Sequence, residues 1–216
     1  MTDKKYILFD LDGTISDSNE GITKGVQATL AHFGINIADR TELLRYIGPP
    51  IRETLSTQFG LTTEQVDEAM VIYGEYYSDK GLYENVLYDG VVDTIRELKR
   101  RGKVIALATS KAQVFAERIL EYFGIADCFT CICGGELTGY GTKKSGVIRR
   151  ALAGCGVADL SQAVIVGDRK YDIIGAKEAG IASVGVLYGF GDHAELRDAG
   201  ADWIVEDIAD LLEMFV

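Results

Sequence analysis

From residue 89 to the end of the chain, short apolar segments alternate with longer segments whose apolar residues recur at helical spacing. Helices are predicted over 91–101, 113–124, 145–153 and 173–179, and strands over 103–108, 129–133, 163–166, 183–187 and 203–205. Regular alternation of strand and helix builds a parallel sheet with helices packed against its faces. The sequence therefore predicts the α/β fold class.

The first apolar segment, Tyr6 to Asp10, is predicted as a further strand of this sheet, but the pattern after it is different. No strand pattern interrupts residues 17–85. Three helices are predicted there, over 19–34, 50–60 and 62–80. We expect a core of residues 1–16 and 86–216, with a helical cap of residues 17–85 inserted over the carboxyl edge of the sheet, where ligands bind in such folds.

The first predicted strand ends in two acidic residues, Asp10 and Asp12, followed by Gly13. Unpaired carboxylates at the end of a buried strand would repel each other and lose hydration, and a divalent cation is the usual compensation. Gly13 allows the backbone to turn there. The sequence predicts a metal site at this turn, and the alternative is a solvated turn that happens to contain two aspartates.

Three more predicted strand ends carry polar residues. Thr109 and Ser110 can bind phosphoryl oxygens at the start of a helix, or can simply cap that helix. Lys143 and Lys144, preceded by the segment 139–142, would bring a lysine near the sheet edge, although paired lysines more often mark a solvated surface. The last of the three strands, 163–166, is followed by a glycine and then by two acids, Asp168 and Asp172, which repeats the pattern of the first strand.

The charge balance restricts the class of partner. The chain has 22 basic and 33 acidic residues, a net charge of −11, which disfavours binding to nucleic acid or to an anionic membrane. The N-terminal apolar stretch is too short for a signal peptide or a membrane span, so a cytoplasmic location is expected. Four cysteines include a CxxC spacing that zinc sites use, but no second pair or histidine follows at a matching spacing, and buried thiols are the favoured interpretation.

Taken in this order, the strand-end residues closely resemble the haloacid dehalogenase superfamily of phosphohydrolases, in the branch with a helical C1-type cap. The motifs that carry the resemblance are Asp10-Leu-Asp12-Gly-Thr14 with Asp17-Ser18, Thr109, a lysine at 143 or 144, and Gly167-Asp168 with Asp172. Two further segments, 47–50 and 187–191, are similar to the phosphoglycolate phosphatase group. The resemblance implies a Rossmann-like, doubly wound parallel sheet as the core of the fold.

The resemblance also implies site residues. Asp10 is expected to be the nucleophile, and Asp12 the acid and base that serves the leaving group and water. Mg²⁺ is expected on the Asp10 carboxylate, the Asp12 backbone carbonyl and Asp168, with Asp172 as a ligand or beside the ligands. Thr109 and Lys144 would stabilise the transferring phosphoryl group.

Of the two lysines, Lys144 is preferred, because similar family members place the lysine three residues before a Val-Ile pair, here Val147-Ile148. The Lys-Pro pair common in relatives is absent, so Lys143 stays open as the alternative. Lys143 and Ser110 are also expected to bind substrate, together with Arg52 in the cap, where a solvent-facing arginine is the alternative.

The leading functional hypothesis is a Mg²⁺-dependent phosphatase that hydrolyses a small phosphomonoester, with phosphoglycolate first and a 5′-nucleotide or pyrophosphate next. A sugar phosphomutase similar to β-phosphoglucomutase is a second hypothesis, and a binding protein that has lost catalysis is a third. The expected partner is a small phosphorylated metabolite, and the expected state is a monomer or a homodimer.

Overall fold

The computed structural model of the chain describes residues 1–139 and 143–216. Its strands are β1 (Tyr6–Phe9), β2 (Ser16–Asp17), β3 (Val86–Leu87), β4 (Val104–Ala112), β5 (Cys131–Gly135), β6 (Ala163–Gly167), β7 (Ala182–Val186) and β8 (Trp203–Val205). Six of them form one parallel sheet in the order β5-β4-β1-β6-β7-β8, while β2 and β3 pair separately as an antiparallel ribbon. The predicted α/β class is confirmed.

Helices surround this sheet. They are α1 (Asn19–His32), α2 (Ile51–Phe59), α3 (Thr63–Tyr76), α4 (Val91–Arg100), α5 (Gln113–Tyr122), α6 (Lys144–Gly154), α7 (Lys170–Ala179), α8 (His193–Ala199) and α9 (Ile208–Phe215). Short 3₁₀ helices cover Arg40–Tyr46, Ala126–Cys128 and Leu160–Gln162, and a π-helical turn covers Tyr77–Gly81. Among the described residues, no helix has the length and hydrophobicity needed to cross a bilayer.

Strand β1 is buried on both faces because helices pack against both sides of the sheet. Its alternate side chains belong to two separate apolar layers. Ile7 and Phe9 face the layer that includes α4, α5 and α9, whereas Leu8 faces the layer of α6 and α7. All three side chains are fully buried. Because β1 is held by β4 on one side and β6 on the other, its carboxyl end is fixed beside theirs.

The helical insertion, which is the segment between β2 and β3, contains α1, α2, α3 and the π-helical turn. Its entry and exit are joined where Ser16 pairs with Leu87 and Asp17 with Val86. Helix α3 begins at the predicted capping box, in which Thr62 accepts from the Gln65 N–H and Gln65 accepts from the Thr62 N–H.

One difference from the predicted elements affects the site. Strand β4 does not end at Ala108 but continues to Ala112, which pairs with Gly135 of β5 after an irregularity in register. Helix α5 begins at Gln113, as predicted, and Thr109 and Ser110 do not cap it. The expectation that these two residues lie at a helix start was wrong, because the irregular pairing with β5 extends the strand beyond them.

Other differences lie at element ends. The strand predicted over 129–133 is shifted to Cys131–Gly135. Helix α8 and the 3₁₀ turn at Arg40–Tyr46 were not predicted, although each is preceded by an aspartate cap, Asp192 and Asp39. Residues 140–142 of the segment that leads to the lysine pair lie outside the described residues.

We expect Gly21→Ala to destabilise the protein. A methyl group on Gly21 of α1 would lie 1.9 Å from the Gly81 carbonyl oxygen, and backbone cannot rotate away as a side chain can. Overpacking of this kind costs roughly 1–3 kcal/mol in the free energy of unfolding.

The matched control for this variant is Gly74→Ala in α3. No atom lies within 4 Å of the added carbon there, so a gain of about 0.5–1 kcal/mol is expected from helix propensity. Urea denaturation measures both variants. Equal stability of the two would contradict the close approach of α1 to the π-helical turn.

Candidate active site

Three buried carboxylates lie together at the carboxyl edge of the sheet. Asp10 follows β1, Asp168 follows the neighbouring strand β6, and Asp172 lies in the first turn of α7. One oxygen from each lies within 4.8 Å of the others, and none of the three residues is more than 5% exposed. Among the described residues, these form the one group of three or more acidic, histidine or cysteine side chains close enough to hold a metal.

One backbone N–H and one side-chain hydroxyl hold Asp168 in place from two directions. Its Oδ2 accepts from the Phe190 N–H at 2.8 Å, and its Oδ1 accepts from the Thr14 hydroxyl at 3.2 Å. A methyl group on Gly13, whose φ is +82°, would lie 2.1 Å from the Asp168 Oδ2 atom. Gly13 is therefore required both for the turn after β1 and for the space that Asp168 occupies.

Burial raises the pKa of Asp168 well above its usual range, and the negative charges of Asp172 and Asp10 add to this effect. Burial also raises the pKa of Asp172, to about 7. Carboxylates in these positions are costly to ionise unless a cation is near. A hard divalent cation fits this donor set, because it prefers carboxylate oxygens and would offset the repulsion between them.

Lys144 places a positive charge directly beside two of these carboxylates. Its Nζ atom lies 2.8 Å from Asp10 Oδ1 and 2.6 Å from Asp172 Oδ1. Burial alone would lower the pKa of Lys144, but the charges of Asp10 and Asp172 outweigh it and the pKa is raised. Lys143, in contrast, is exposed. The geometry favours Lys144 over Lys143 as the lysine of the site.

Close packing of α6 on α7 gives Lys144 its position. Gly175 of α7 faces the stem of Lys144, and a methyl group there would lie 3.0 Å from the Lys144 Cβ atom. The small residue thus lets the lysine run along α7 toward the carboxylates.

The Asp12 carboxylate is separate from this cluster. Both of its oxygens accept from the Lys111 Nζ atom, at 2.8 and 2.7 Å. Lys111 also lies against the face of the Tyr77 ring, 4.8 Å from its centroid. The predicted role of Asp12 as a metal ligand concerns its backbone carbonyl and stays a prediction.

Sequence reasoning gave Lys111 no role. Its position could have indicated a role, because Lys111 comes two residues after Thr109 at the end of a central strand. Thr109 itself is 1% exposed, and its hydroxyl accepts from the Lys111 N–H at 3.2 Å. Ser110 lines the adjacent cavity.

A cavity of about 530 Å³ lies between the helical insertion and the core, next to Asp12. Most of its lining is apolar, including Tyr46, Met70, Tyr73, Tyr77 and Phe115. Burial raises the pKa of Tyr73 and of Tyr77 well above the usual range. The wall beside Asp12 is therefore poorly hydrated.

Arg52, which the sequence predicts to bind substrate, lines the same cavity, and its role stays a prediction. Its guanidinium pairs with Asp67 at 2.6 Å and donates to the Thr138 carbonyl at 2.8 Å. Arg52 therefore joins the insertion to the segment that follows β5, and it does not simply face solvent.

The four cysteines are free thiols in the structure. Cys131 and Cys133 are neighbours on one side of β5, with their Sγ atoms 3.4 Å apart. Burial raises the pKa of Cys133 to about 12 and that of Cys155 to about 11. Thiols with raised pKa values are poor nucleophiles near neutral pH, which agrees with a packing role.

Comparison with known proteins gives consistent matches over nearly the whole chain. A family model described as haloacid dehalogenase-like hydrolase matches residues 7–186. The chain is 39% identical to the 5′-nucleotidase of Pseudomonas aeruginosa, over 96% of this chain and 94% of that protein. It is 30% identical to the phosphoglycolate phosphatase of Vibrio cholerae, over 99% and 98% of the two chains.

The structure is also similar to the crystal structure of a predicted phosphatase from Clostridium acetobutylicum. The TM-score is 0.94 at 39% identity, and the match covers 98% of this chain and 97% of that chain. The likeness therefore includes the helical insertion as well as the sheet.

The raised pKa values predict how the stability of the metal-free protein depends on pH. A carboxyl whose pKa is higher in the folded than in the unfolded state binds more protons when folded, so stability falls as pH rises from about 4 through about 7. In EDTA, we expect the Tm to fall between pH 5 and pH 8, and Asp168→Asn to reduce that fall.

Thermal unfolding at several pH values measures this effect, with Asp93→Asn on the exposed side of α4 as the control. Added Mg²⁺ should raise the Tm of the unaltered protein more at pH 8 than at pH 5, since protons compete with the cation. Parallel pH curves for the Asp168→Asn and unaltered proteins would rule out a costly buried carboxylate.

Proposed function

Because the chain belongs to the haloacid dehalogenase-like hydrolases and is a phosphatase, we propose that it hydrolyses small phosphomonoesters through a phosphoryl group carried on Asp10. The observation that carries this proposal is the arrangement of Asp10. Its carboxylate lies beside a buried lysine and two further carboxylates that suit a divalent cation, at the edge where β1 and β6 end.

In the first step, a carboxylate oxygen of Asp10 attacks phosphorus, and the bond between phosphorus and the leaving-group oxygen breaks. Asp12 gives a proton to that oxygen. In the second step, water attacks the phosphorus of the aspartyl phosphate while Asp12 takes a proton from it, and the bond to Asp10 breaks. Asp10 is then free for another cycle, and inorganic phosphate is released.

The first step brings a carboxylate toward an anionic phosphate, so the site must neutralise charge. Lys144 offsets the charge of Asp10, and the buried hydroxyl of Thr109 would donate to a phosphoryl oxygen. Asp10, Asp168 and the Asp12 carbonyl, with Asp172 as a further ligand or beside the ligands, would hold Mg²⁺, which would supply further positive charge at the phosphoryl oxygens.

We further propose that residues 17–85 act as the cap that selects the leaving group. The cavity beneath them favours a neutral, ring-bearing alcohol such as a nucleoside over glycolate. A volume of about 530 Å³ is in the range of pockets for drug-sized molecules, and much of the wall is aromatic.

The charges of the cavity wall support the same choice. Both cations among the described lining residues already have a carboxylate partner, since Lys111 pairs with Asp12 and Arg52 pairs with Asp67. The carboxylate of phosphoglycolate would add a negative charge beside cations whose charge is already offset by Asp12 and Asp67. Among the phosphomonoesters that the sequence suggested as substrates, a 5′-nucleotide is therefore preferred. Arg52 would contact the part of the nucleotide that lies away from the phosphate.

Phosphate release from a substrate panel tests the proposal. The panel contains 5′-nucleotides, phosphoglycolate, sugar phosphates and pyrophosphate, each with Mg²⁺ and with EDTA. We expect release from nucleotides to exceed release from phosphoglycolate, and EDTA to abolish both. Asp10→Asn should lower turnover by at least about 10³-fold, because no carboxylate oxygen can then attack phosphorus.

Three results would go against the proposal. Appreciable turnover by Asp10→Asn would remove Asp10 as the nucleophile. A preference for phosphoglycolate would overturn the argument from the cavity. Exchange of phosphate between sugar positions with little free phosphate would indicate a mutase.

The adjacent lysines provide a matched pair for a second test. Lys144→Met should lower kcat by roughly 10²-fold or more, because a buried positive charge beside Asp10 is lost. Lys143→Met should change kcat less than about threefold, because an exposed side chain contributes little to a buried charge. Steady-state kinetics on the best panel substrate compare the two, and a larger loss in Lys143→Met would reverse the assignment.

A further inference from the structure

Each of the two aspartates at the end of β1 has its own lysine. Asp10 pairs with Lys144, which comes from α6, and Asp12 pairs with Lys111, which comes from the end of β4. The two pairs share no residue. Lys144 contacts Asp172 as well as Asp10, whereas Lys111 contacts both carboxylate oxygens of Asp12. The second pair is part of no motif that the sequence singled out.

The Lys111–Asp12 pair lies largely out of water. The side chains of the two residues are 7% and 11% exposed, so water does not compete strongly for either charge. The ring of Tyr77 lies against the ammonium of Lys111 at 4.8 Å. Because Lys111 contacts both carboxylate oxygens, the Asp12 side chain has one fixed orientation, facing the cavity.

The extended end of β4 explains how Lys111 reaches Asp12. In a helix that began at Thr109, Lys111 would lie in the first turn. The strand instead continues to Ala112, which pairs with Gly135 of β5, and Lys111 within this extension contacts Asp12.

We propose that Lys111 is a positioning residue that holds Asp12 as the oriented carboxylate needed for the second step. In that step Asp12 accepts the proton of the attacking water, so a fixed and ionised carboxylate is the productive form. This inference rests on the proposed function, and on the role of Asp12 in particular. It adds that Lys111 speeds breakdown of the aspartyl phosphate more than it speeds its formation.

The test uses p-nitrophenyl phosphate, whose leaving group needs no proton, so that Asp12 is not required in the first step. We expect Lys111→Met to lower kcat about 10- to 100-fold, because a freely rotating base is a poor one. We also expect a rise in the steady-state fraction of enzyme that carries acid-stable phosphate on Asp10. This fraction is measured as ³²P retained on the quenched enzyme after filtration has removed the labelled inorganic phosphate. Lys111→Arg should restore most of both values.

The increase in phosphorylated enzyme separates positioning from structural damage. A lesion that merely disturbs the fold would slow formation of the aspartyl phosphate as well, and the phosphorylated fraction would fall. Lys111→Gln is measured in parallel, so that the result does not depend on the folding of one variant. Lys103→Met, which removes a partly buried lysine at the other end of β4, is the matched control and should leave the fraction unchanged.

An unchanged or lower phosphorylated fraction in both Lys111→Met and Lys111→Gln would overturn the role of Lys111. If the proposed function itself is wrong, the same measurements give a different result. In that case the unaltered enzyme itself would carry no acid-stable phosphate during turnover, and Asp12→Asn would not increase it.

Discussion

The repulsion among three buried carboxylates is the constraint on which the rest of the site depends. Asp10, Asp168 and Asp172 are almost fully removed from water within one small volume, and a single lysine, Lys144, contacts two of them. Such a cluster persists only when neighbouring groups offset its charge, because ionised carboxylates are costly to bury. Lys144 and the Phe190 N–H do part of this, and a divalent cation would do the remainder.

Several features of the fold follow from the need to bring these groups together. Parallel strands β1 and β6 place Asp10 and Asp168 side by side, and Gly13 leaves space for the Asp168 carboxylate. The close approach of α6 to α7 at Gly175 allows Lys144 to reach both Asp10 and Asp172. The glycines here are thus part of the electrostatic arrangement, because each removes a side chain that would separate the charges.

The sequence predicted the parts of the site that come from strand ends, because apolar runs followed by acids are a local pattern. Asp10 and Asp168 were identified in this way, and Lys144 came from a resemblance. Lys111 was missed because its importance depends on how far β4 extends, and that is set by pairing with β5 across an irregular register. Through this long-range pairing, the strand predicted to end at Ala108 continues to Ala112, so no local rule would have placed Lys111 beside Asp12.

The two aspartate–lysine pairs divide the chemistry of one turn into two electrostatic environments. Asp10 lies beside further carboxylates and suits a cation, whereas Asp12 lines an apolar cavity and pairs with Lys111. A nucleophile must stay ionised throughout attack, while an acid and base must exchange a proton with each step, so the same environment would serve one of them badly. Separate lysines from α6 and β4 allow two residues that are only two positions apart to perform different tasks.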